Sequence, residues 1–183
     1  MPTAADRDMP MPTPGAPLAL QGRWRVDPTA SHAHFRAGAL AGLVKTPGRF
    51  RALSGTLLVE DAGASGTLMI DSSSIDTGNW MRDRHLRSRD FFDVKRHPHL
   101  RYEVHGISGR DPDGAQIDGE LIVAGTRTRL PVDVSLQTAR DGSIELACHT
   151  EADRVALGIT GARAMVPRSV ELEVAITLRR ADT

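Results

Sequence analysis

Apolar and polar side chains alternate along most of the chain after residue 22, a pattern that places every second side chain on one face of a β-strand. The alternation is clearest near the C-terminus, where every second residue from Val170 to Leu178 is apolar. Three other segments repeat it, at Leu130–Leu136, Leu100–Val104 and Ile144–Cys148. Each segment is predicted to be a strand with one buried face and one solvated face.

Weaker alternation predicts five more strands, at residues 23–26, 33–37, 49–60, 66–75 and 116–124. Turn sequences such as Asp61-Ala62-Gly63 and Asp141-Gly142 separate neighbouring apolar runs, as hairpin connections do. A series of short strands joined by tight turns must close or stack in order to hide its edges. We therefore predict an all-β fold of about eight or nine short strands that either closes into a barrel or stacks as two sheets.

One segment, residues 77–93, interrupts the alternation. It is rich in arginine and aspartate, with scattered apolar residues between the charges. It is predicted to form a short helix and loop that lie across the barrel. Exposed runs of mixed charge are usually solvated and internally paired, so its arginines are interpreted in that way in preference to an anion site.

Composition bounds the class of protein and the number of domains. The chain has 183 residues, a length typical of one domain, and its first 21 residues are rich in proline. We predict a disordered tail over residues 1–21 and one barrel domain over residues 22–183. Lys plus Arg and Asp plus Glu each number 23, so the basic field that attracts nucleic acid is missing and no nucleic-acid partner is predicted.

Cellular location is predicted from the beginning of the chain and from its apolar runs. The first twenty residues contain Asp6 and Asp8 and no continuous apolar run of the secretory type. No segment approaches the roughly 18 consecutive apolar residues of a membrane span. A cytoplasmic protein without stable membrane insertion is therefore expected. The single cysteine, Cys148, excludes an intramolecular disulfide.

Several motifs resemble those of the YceI-like family, in the same order and with similar spacing. They include residues 24–28 (WRVDP), residues 74–79 (SIDTGN), residues 85–88 (HLRS), residues 90–93 (DFFD) and residues 119–121 (GEL). The resemblance implies a lipocalin-like antiparallel β-barrel of about eight strands that holds a long isoprenoid chain, from an isoprenoid quinone or a polyprenyl lipid, without covalent chemistry. It also implies that no cofactor is needed and that the chain can form a homodimer.

The expected ligand site is the barrel interior. An eight-stranded barrel is just wide enough to be filled by side chains or to hold one small ligand, and an aromatic content of only 4% favours a cavity. The segment 77–93 is expected to supply the mouth. The candidate ligand-contacting residues are Phe35, Phe50, Leu68, Ile70, Trp80, Met81, Arg82, Arg84, His85, Leu86, Phe91, Phe92, Leu100, Tyr102 and Val104. The alternative is a filled barrel that serves as a structural or stress-associated interaction module.

Catalytic and metal sites are the rival interpretations. His32 with His34, and His97 with His99, each place two imidazoles on one face of a strand, as a metal site can require. The alternation directs these histidines outward, however, so no metal site is predicted. Three consecutive serines at residues 72–74 lack the strained elbow of a serine nucleophile. No catalytic residue is predicted, and the expected function is non-catalytic.

Overall fold

The computed structural model describes residues 18–39, 44–111, 114–161 and 167–181. Its strands are β1 (Gly22–Val26), β2 (His32–Ala39), β3 (Val44–Phe50), β4 (Leu53–Glu60), β5 (Gly63–Asp71), β6 (Ile75–Asp76), β7 (His99–Asp111), β8 (Gly114–Val123), β9 (Thr126–Arg129), β10 (Val132–Thr138), β11 (Ile144–Asp153) and β12 (Ser169–Arg180). One α-helix, α1, spans Trp80–Leu86 in this part of the chain, and 3-10 turns lie at Leu18–Leu20 and Ser72–Ser74.

Eight of the strands close into a barrel. Their order is β1, β4, β5, β7, β8, β10, β11 and β12, and β12 returns to pair with β1 through Trp24 and Arg180. Every pairing is antiparallel. The predicted eight-stranded antiparallel barrel is confirmed, and closure hides the sheet edges that an open meander would expose.

The other strands extend the barrel wall. β2 continues along the β12 edge that β1 occupies, β3 pairs with β2, β6 pairs with β3, and β9 pairs with β8. The single strand predicted over residues 49–60 is in fact two strands. It breaks at Arg51 and Ala52, whose backbone N–H groups donate to Ser74 Oγ instead of to a neighbouring strand.

One end of the barrel is closed by the chain that precedes β1. Leu20 is completely buried beside Trp24, and the Trp24 indole N–H donates to the Leu20 carbonyl at 2.7 Å. Residues 18–21 therefore belong to the folded domain and not to the predicted tail, because burial of Leu20 stabilises an ordered turn. Residues 1–17, the rest of the predicted tail, lie outside the described residues.

The predicted helix within residues 77–93 is confirmed as α1. Asn79 caps it by accepting a hydrogen bond from the Arg82 N–H at 3.1 Å. The buried Asp83 carboxylate accepts a bond from the Thr77 N–H and ties the helix to the preceding chain. With seven residues α1 is far too short to cross a bilayer, and no other helix in the described part of the chain could do so.

Candidate ligand-binding site

The barrel encloses a cavity of about 200 Å³ whose surface is almost entirely apolar. Its wall is made by inward-facing side chains of β1, β2, β3, β4, β5, β7, β8, β10, β11 and β12, together with the segment between β9 and β10. The cavity lies beyond Leu20 and Trp24, which do not line it, although Val26 and Leu178 of the same packed cluster do. An apolar interior of this kind offers burial to a ligand and presents few polar partners.

The cavity exists because small side chains meet in register across the barrel wall. Val174 of β12 lies opposite Cys148 of β11 on one side and Ala33 of β2 on the other. Along the inward face of β12, Leu178 near the closed end is only 2% exposed, whereas Val174 and Ile176 are half-buried. Inward side chains that stay accessible to water mark unfilled space.

Aromatic rings form one part of the cavity wall. Phe35 and Phe50 line the cavity with ring centroids 5.7 Å apart, and Phe92 meets the Phe50 ring edge-on at 5.8 Å. Phe35 lies so close to the β3 backbone that a Cβ at Gly48 would fall 2.2 Å from its ring. The glycine at residue 48 is therefore what allows Phe35 to occupy this position.

Three titratable residues line the cavity, His34, Tyr102 and Cys148, and burial raises the pKa of the phenol and of the thiol. Desolvation, with a smaller contribution from Asp118, raises the pKa of the Tyr102 phenol, whose hydroxyl donates to the Leu130 carbonyl at 2.8 Å. Desolvation likewise raises the pKa of the Cys148 thiol. Because both groups remain uncharged near neutral pH, they do not repel an apolar ligand.

The strands β10 and β11 are paired along only part of the barrel wall. β10 pairs with β8 over Val132–Ser135 and with β11 over Ser135–Thr138, so the two ladders share only Ser135. Residues 148–153 of β11 pair with β12 alone among the described strands. The strands therefore diverge beside Val132 and Thr150, which both line the cavity. We interpret the divergence as a lateral opening.

Seven of the fifteen predicted ligand-contacting residues line this cavity. They are Phe35, Phe50, Leu68, Ile70, Leu100, Tyr102 and Val104. The structure brings them together from β2, β3, β5 and β7, which the chain separates widely. Their contact with a ligand stays a prediction.

The eight predicted residues of the segment 77–93 do not line the cavity. Leu86 and Phe92 pack against the core cluster that contains Phe50 and so support the wall from outside. The Phe91 ring packs against the His85 ring, with centroids 5.0 Å apart. The predicted role of this segment as a mouth remains a prediction.

The arginines of the segment do not all form the predicted internal ion pairs. Arg82 Nε donates to Thr77 Oγ1 at 2.7 Å, and Arg82 Nη2 donates to the Thr77 carbonyl at 2.7 Å. Arg87 donates to the carbonyls of Ser73 and Ile75. These two arginines anchor the helix to the chain that precedes it. Trp80, Met81, Arg84 and His85 face solvent.

Sequence reasoning missed most of the remaining wall. The additional apolar lining residues are Val26, Ala33, Leu57, Ile117, Leu121, Leu130, Val132, Val134, Leu146, Leu172, Val174, Ile176 and Leu178. Alternation directs most of them inward. It contains no signal for which inward residues meet at the cavity and which are packed at the closed end, because that depends on the register between strands.

The group of potential metal ligands in the described structure contains none of the four histidines that were considered from the sequence. One oxygen each of Glu103 and Glu120 and one nitrogen of His105 lie within 4.8 Å of one another on the outer wall. Arg127 Nη1 lies 2.6 Å from both carboxylates, so a guanidinium already balances their charge. This pairing holds the pKa of Glu120 below its usual value, and the Arg127 bond is the largest cause.

Fold and cavity together define an antiparallel β-barrel with an apolar internal pocket. The sequence profile of the YceI-like domain matches residues 24–178. The chain therefore belongs to the YceI-like domain family, as the motifs predicted.

Relatives and solved structures agree with this assignment. A UPF0312 protein of Pectobacterium atrosepticum is 29% identical over 123 residues, which cover 64% of this chain and 63% of that protein. Protein YceI of Escherichia coli is 26% identical over the same coverage. The chain thus matches less than two thirds of the length of these curated relatives.

Two solved structures share the fold at low sequence identity. Burkholderia cenocepacia BcnA superposes with a TM-score of 0.74 at 19% identity, covering 83% of this chain and 98% of BcnA. A polyisoprenoid binding domain from Saccharophagus degradans superposes with a TM-score of 0.71 at 17% identity, covering 86% and 98%. At such identities the likeness establishes the fold alone.

Proposed function

We propose that this protein binds an apolar isoprenoid-type lipid, an isoprenoid quinone or a polyprenyl chain, inside its barrel without catalysing a reaction. The observation that carries the proposal is the almost wholly apolar cavity within a closed barrel. The name of the Saccharophagus degradans domain, a polyisoprenoid binding domain of the same fold, supports the same ligand class. Carriage, storage and a stress response are all compatible with such binding, and the cytoplasmic location stays a prediction.

The dimensions of the cavity favour a slender chain over a bulky ring. Its volume of about 200 Å³ is below the roughly 300–1,000 Å³ of pockets that enclose drug-sized ligands. Burial of apolar groups contributes about 0.8 kcal/mol per methylene, so two isoprene units would contribute on the order of 8 kcal/mol before the cost of association. A polar headgroup would then lie outside, beside the divergence of β10 and β11.

Mass spectrometry of an organic extract tests the proposal. The protein is purified natively without detergent, extracted, and compared with two variants of β12. Val174→Trp places an indole in the cavity, whereas Ala175→Trp, one residue further on, directs the same side chain to the outer face. We expect a stoichiometric isoprenoid lipid with the wild type and with Ala175→Trp, and none with Val174→Trp.

Thermal unfolding with added ubiquinone and farnesol provides a second measurement. Ligand that binds only the folded state raises the midpoint of unfolding, and Val174→Trp is expected to abolish the increase. If no lipid is extracted and neither compound changes the midpoint, lipid binding is ruled out and the barrel serves instead as an interaction module. Equal uptake by both tryptophan variants would place the ligand outside the cavity.

A further inference from the structure

The helix α1 presents two large apolar side chains to solvent. Trp80 is 72% exposed and Met81 is 63% exposed, and they are the exposed large hydrophobic residues of the described structure. With 3.6 residues per turn, Trp80, Met81, Arg84 and His85 share one side of the helix. Asp83 and Leu86 lie on the opposite, inner side.

This arrangement departs from that of a helix that only packs on a barrel, where large apolar residues face inward and charged residues face outward. Here the inner side contains a carboxylate that is only 7% exposed, and the outer side contains the indole. The polar groups on the inner side form hydrogen bonds within the fold: Asp83 accepts one from the Thr77 N–H, and Arg82 donates one to the Thr77 hydroxyl. Because the fold does not need Trp80 and Met81 on the outer side, a second surface must explain them.

Charge indicates which surface that is. Residues 80–97 contain six Lys or Arg and three Asp, a net charge of +3 in a chain whose total is zero. Arg84, one turn from Trp80, is exposed and has no ion pair or hydrogen bond within the described residues. Exposed tryptophan beside unpaired arginine is typical of side chains at a bilayer surface, where the indole enters the headgroup region and cations meet anionic lipid.

The position of α1 relative to the cavity agrees with this interpretation. Leu86, on the inner side of α1, and Phe92, which follows it, pack against the core cluster of Phe50. Phe50 lines the cavity. The exposed side of α1 therefore lies at the cavity half of the barrel, away from the end that Leu20 and Trp24 close.

We propose that the outer side of α1, formed by Trp80, Met81 and Arg84, docks this protein on the surface of an anionic lipid bilayer. Docking is peripheral and reversible, since one short helix side buries little apolar area. It would bring the cavity half of the barrel to the membrane that contains apolar lipid. The proposal does not depend on which lipid the cavity binds.

Co-flotation with lipid vesicles tests the proposal, using the full chain. Vesicles of phosphatidylcholine mixed with phosphatidylglycerol are compared with vesicles of phosphatidylcholine alone, at low and high salt. We expect binding to the anionic vesicles that salt weakens. Trp80→Ser with Met81→Ser should weaken it by roughly tenfold or more, and Arg84→Ala by about fivefold.

Tryptophan fluorescence identifies the residue that enters the bilayer. The chain has two tryptophans, and Trp24 is buried, so a blue shift on addition of vesicles reports Trp80. Arg140→Ala, at an exposed arginine in the turn between β10 and β11, is the matched control and should bind as the wild type does. Circular dichroism establishes that each variant is folded.

Three results would overturn the proposal. The first is the absence of binding to either kind of vesicle. The second is binding that the serine double variant leaves unchanged. The third is a blue shift that depends on protein concentration without vesicles, which would assign this surface to a second copy of the chain. Since none of the substituted side chains lines the cavity, ligand extraction should be unaffected by them, and the two proposals fail independently.

Discussion

The two halves of the barrel are built from the same strands but differ in how they are filled. Around Leu20 and Trp24 the inward side chains form a dense cluster that includes Val59, Ala115 and Ile144, none more than 1% exposed. In the other half, the inward residues of the same strands surround a cavity. Strand β11 passes through both halves, with Ile144 buried at one end and Cys148 at the cavity.

The difference shows what alternation controls and what it does not. Alternation directs side chains into the barrel. Whether they fill the interior depends on the volumes of the side chains that face one another across the barrel, and on any chain segment that enters its end. Leu20 fills the closed end together with Trp24. At the cavity, Ala33, Cys148 and Val174 meet and leave space.

Removal of one large aromatic ring from each half of the barrel should give the largest difference in the free energy of unfolding between the two halves. Trp24→Ala empties a filled site and breaks the bond to Leu20, so we expect a loss of about 3–5 kcal/mol in the free energy of unfolding. Phe35→Ala enlarges space that is already unfilled and should cost less than about 2 kcal/mol. Unfolding in urea measures both, and equal losses would contradict the contrast.

A larger side chain in each half of β11 should change the free energy of unfolding by a smaller amount. The loss should again be greater in the filled half than at the cavity. Ile144→Phe overpacks a filled site and is expected to cost about 1–3 kcal/mol. Cys148 lies four residues further along β11 on the same face. The ring of Cys148→Phe enters the cavity, so this variant should lose less than about 1 kcal/mol in the free energy of unfolding. It should also reduce lipid uptake, which Ile144→Phe leaves unchanged in the folded fraction. Urea unfolding and lipid extraction distinguish these outcomes.

The smallest expected effect is on the rate at which Cys148 reacts with an alkylating reagent. This measurement probes the cavity without any substitution in it. Because burial raises the pKa of the thiol, its thiolate fraction at a given pH is lower than that of an exposed cysteine. Alkylation by iodoacetamide should therefore be slow near neutral pH. Its rate should continue to rise with pH beyond the point where that of an unfolded control levels off.

Ligand occupancy gives the control for that measurement. A bound apolar chain should protect Cys148 from alkylation, and Cys148→Ser should show no labelling, since the chain has no other cysteine. Alkylation that equals the rate of the unfolded protein at every pH would mean that the thiol is not shielded by the barrel.

The sequence alone was sufficient for most of the strands and for the helical interruption. Period-two alternation is a local property, so the strand of Val170–Leu178 could be located from its own residues. The loss of alternation over residues 77–93 marked the segment that contains α1 in the same local way. The motifs indicated the family, which the match over residues 24–178 established.

Tertiary structure alone decided where the cavity lies and which residues surround it. Phe35, Tyr102 and Val174 are far apart in sequence, and only the register between strands places them around one space. The same is true of Trp80, since its charged neighbours do not indicate whether the indole faces the barrel or solvent. Local pattern fixes the face of an element, whereas packing between distant elements fixes what that face meets.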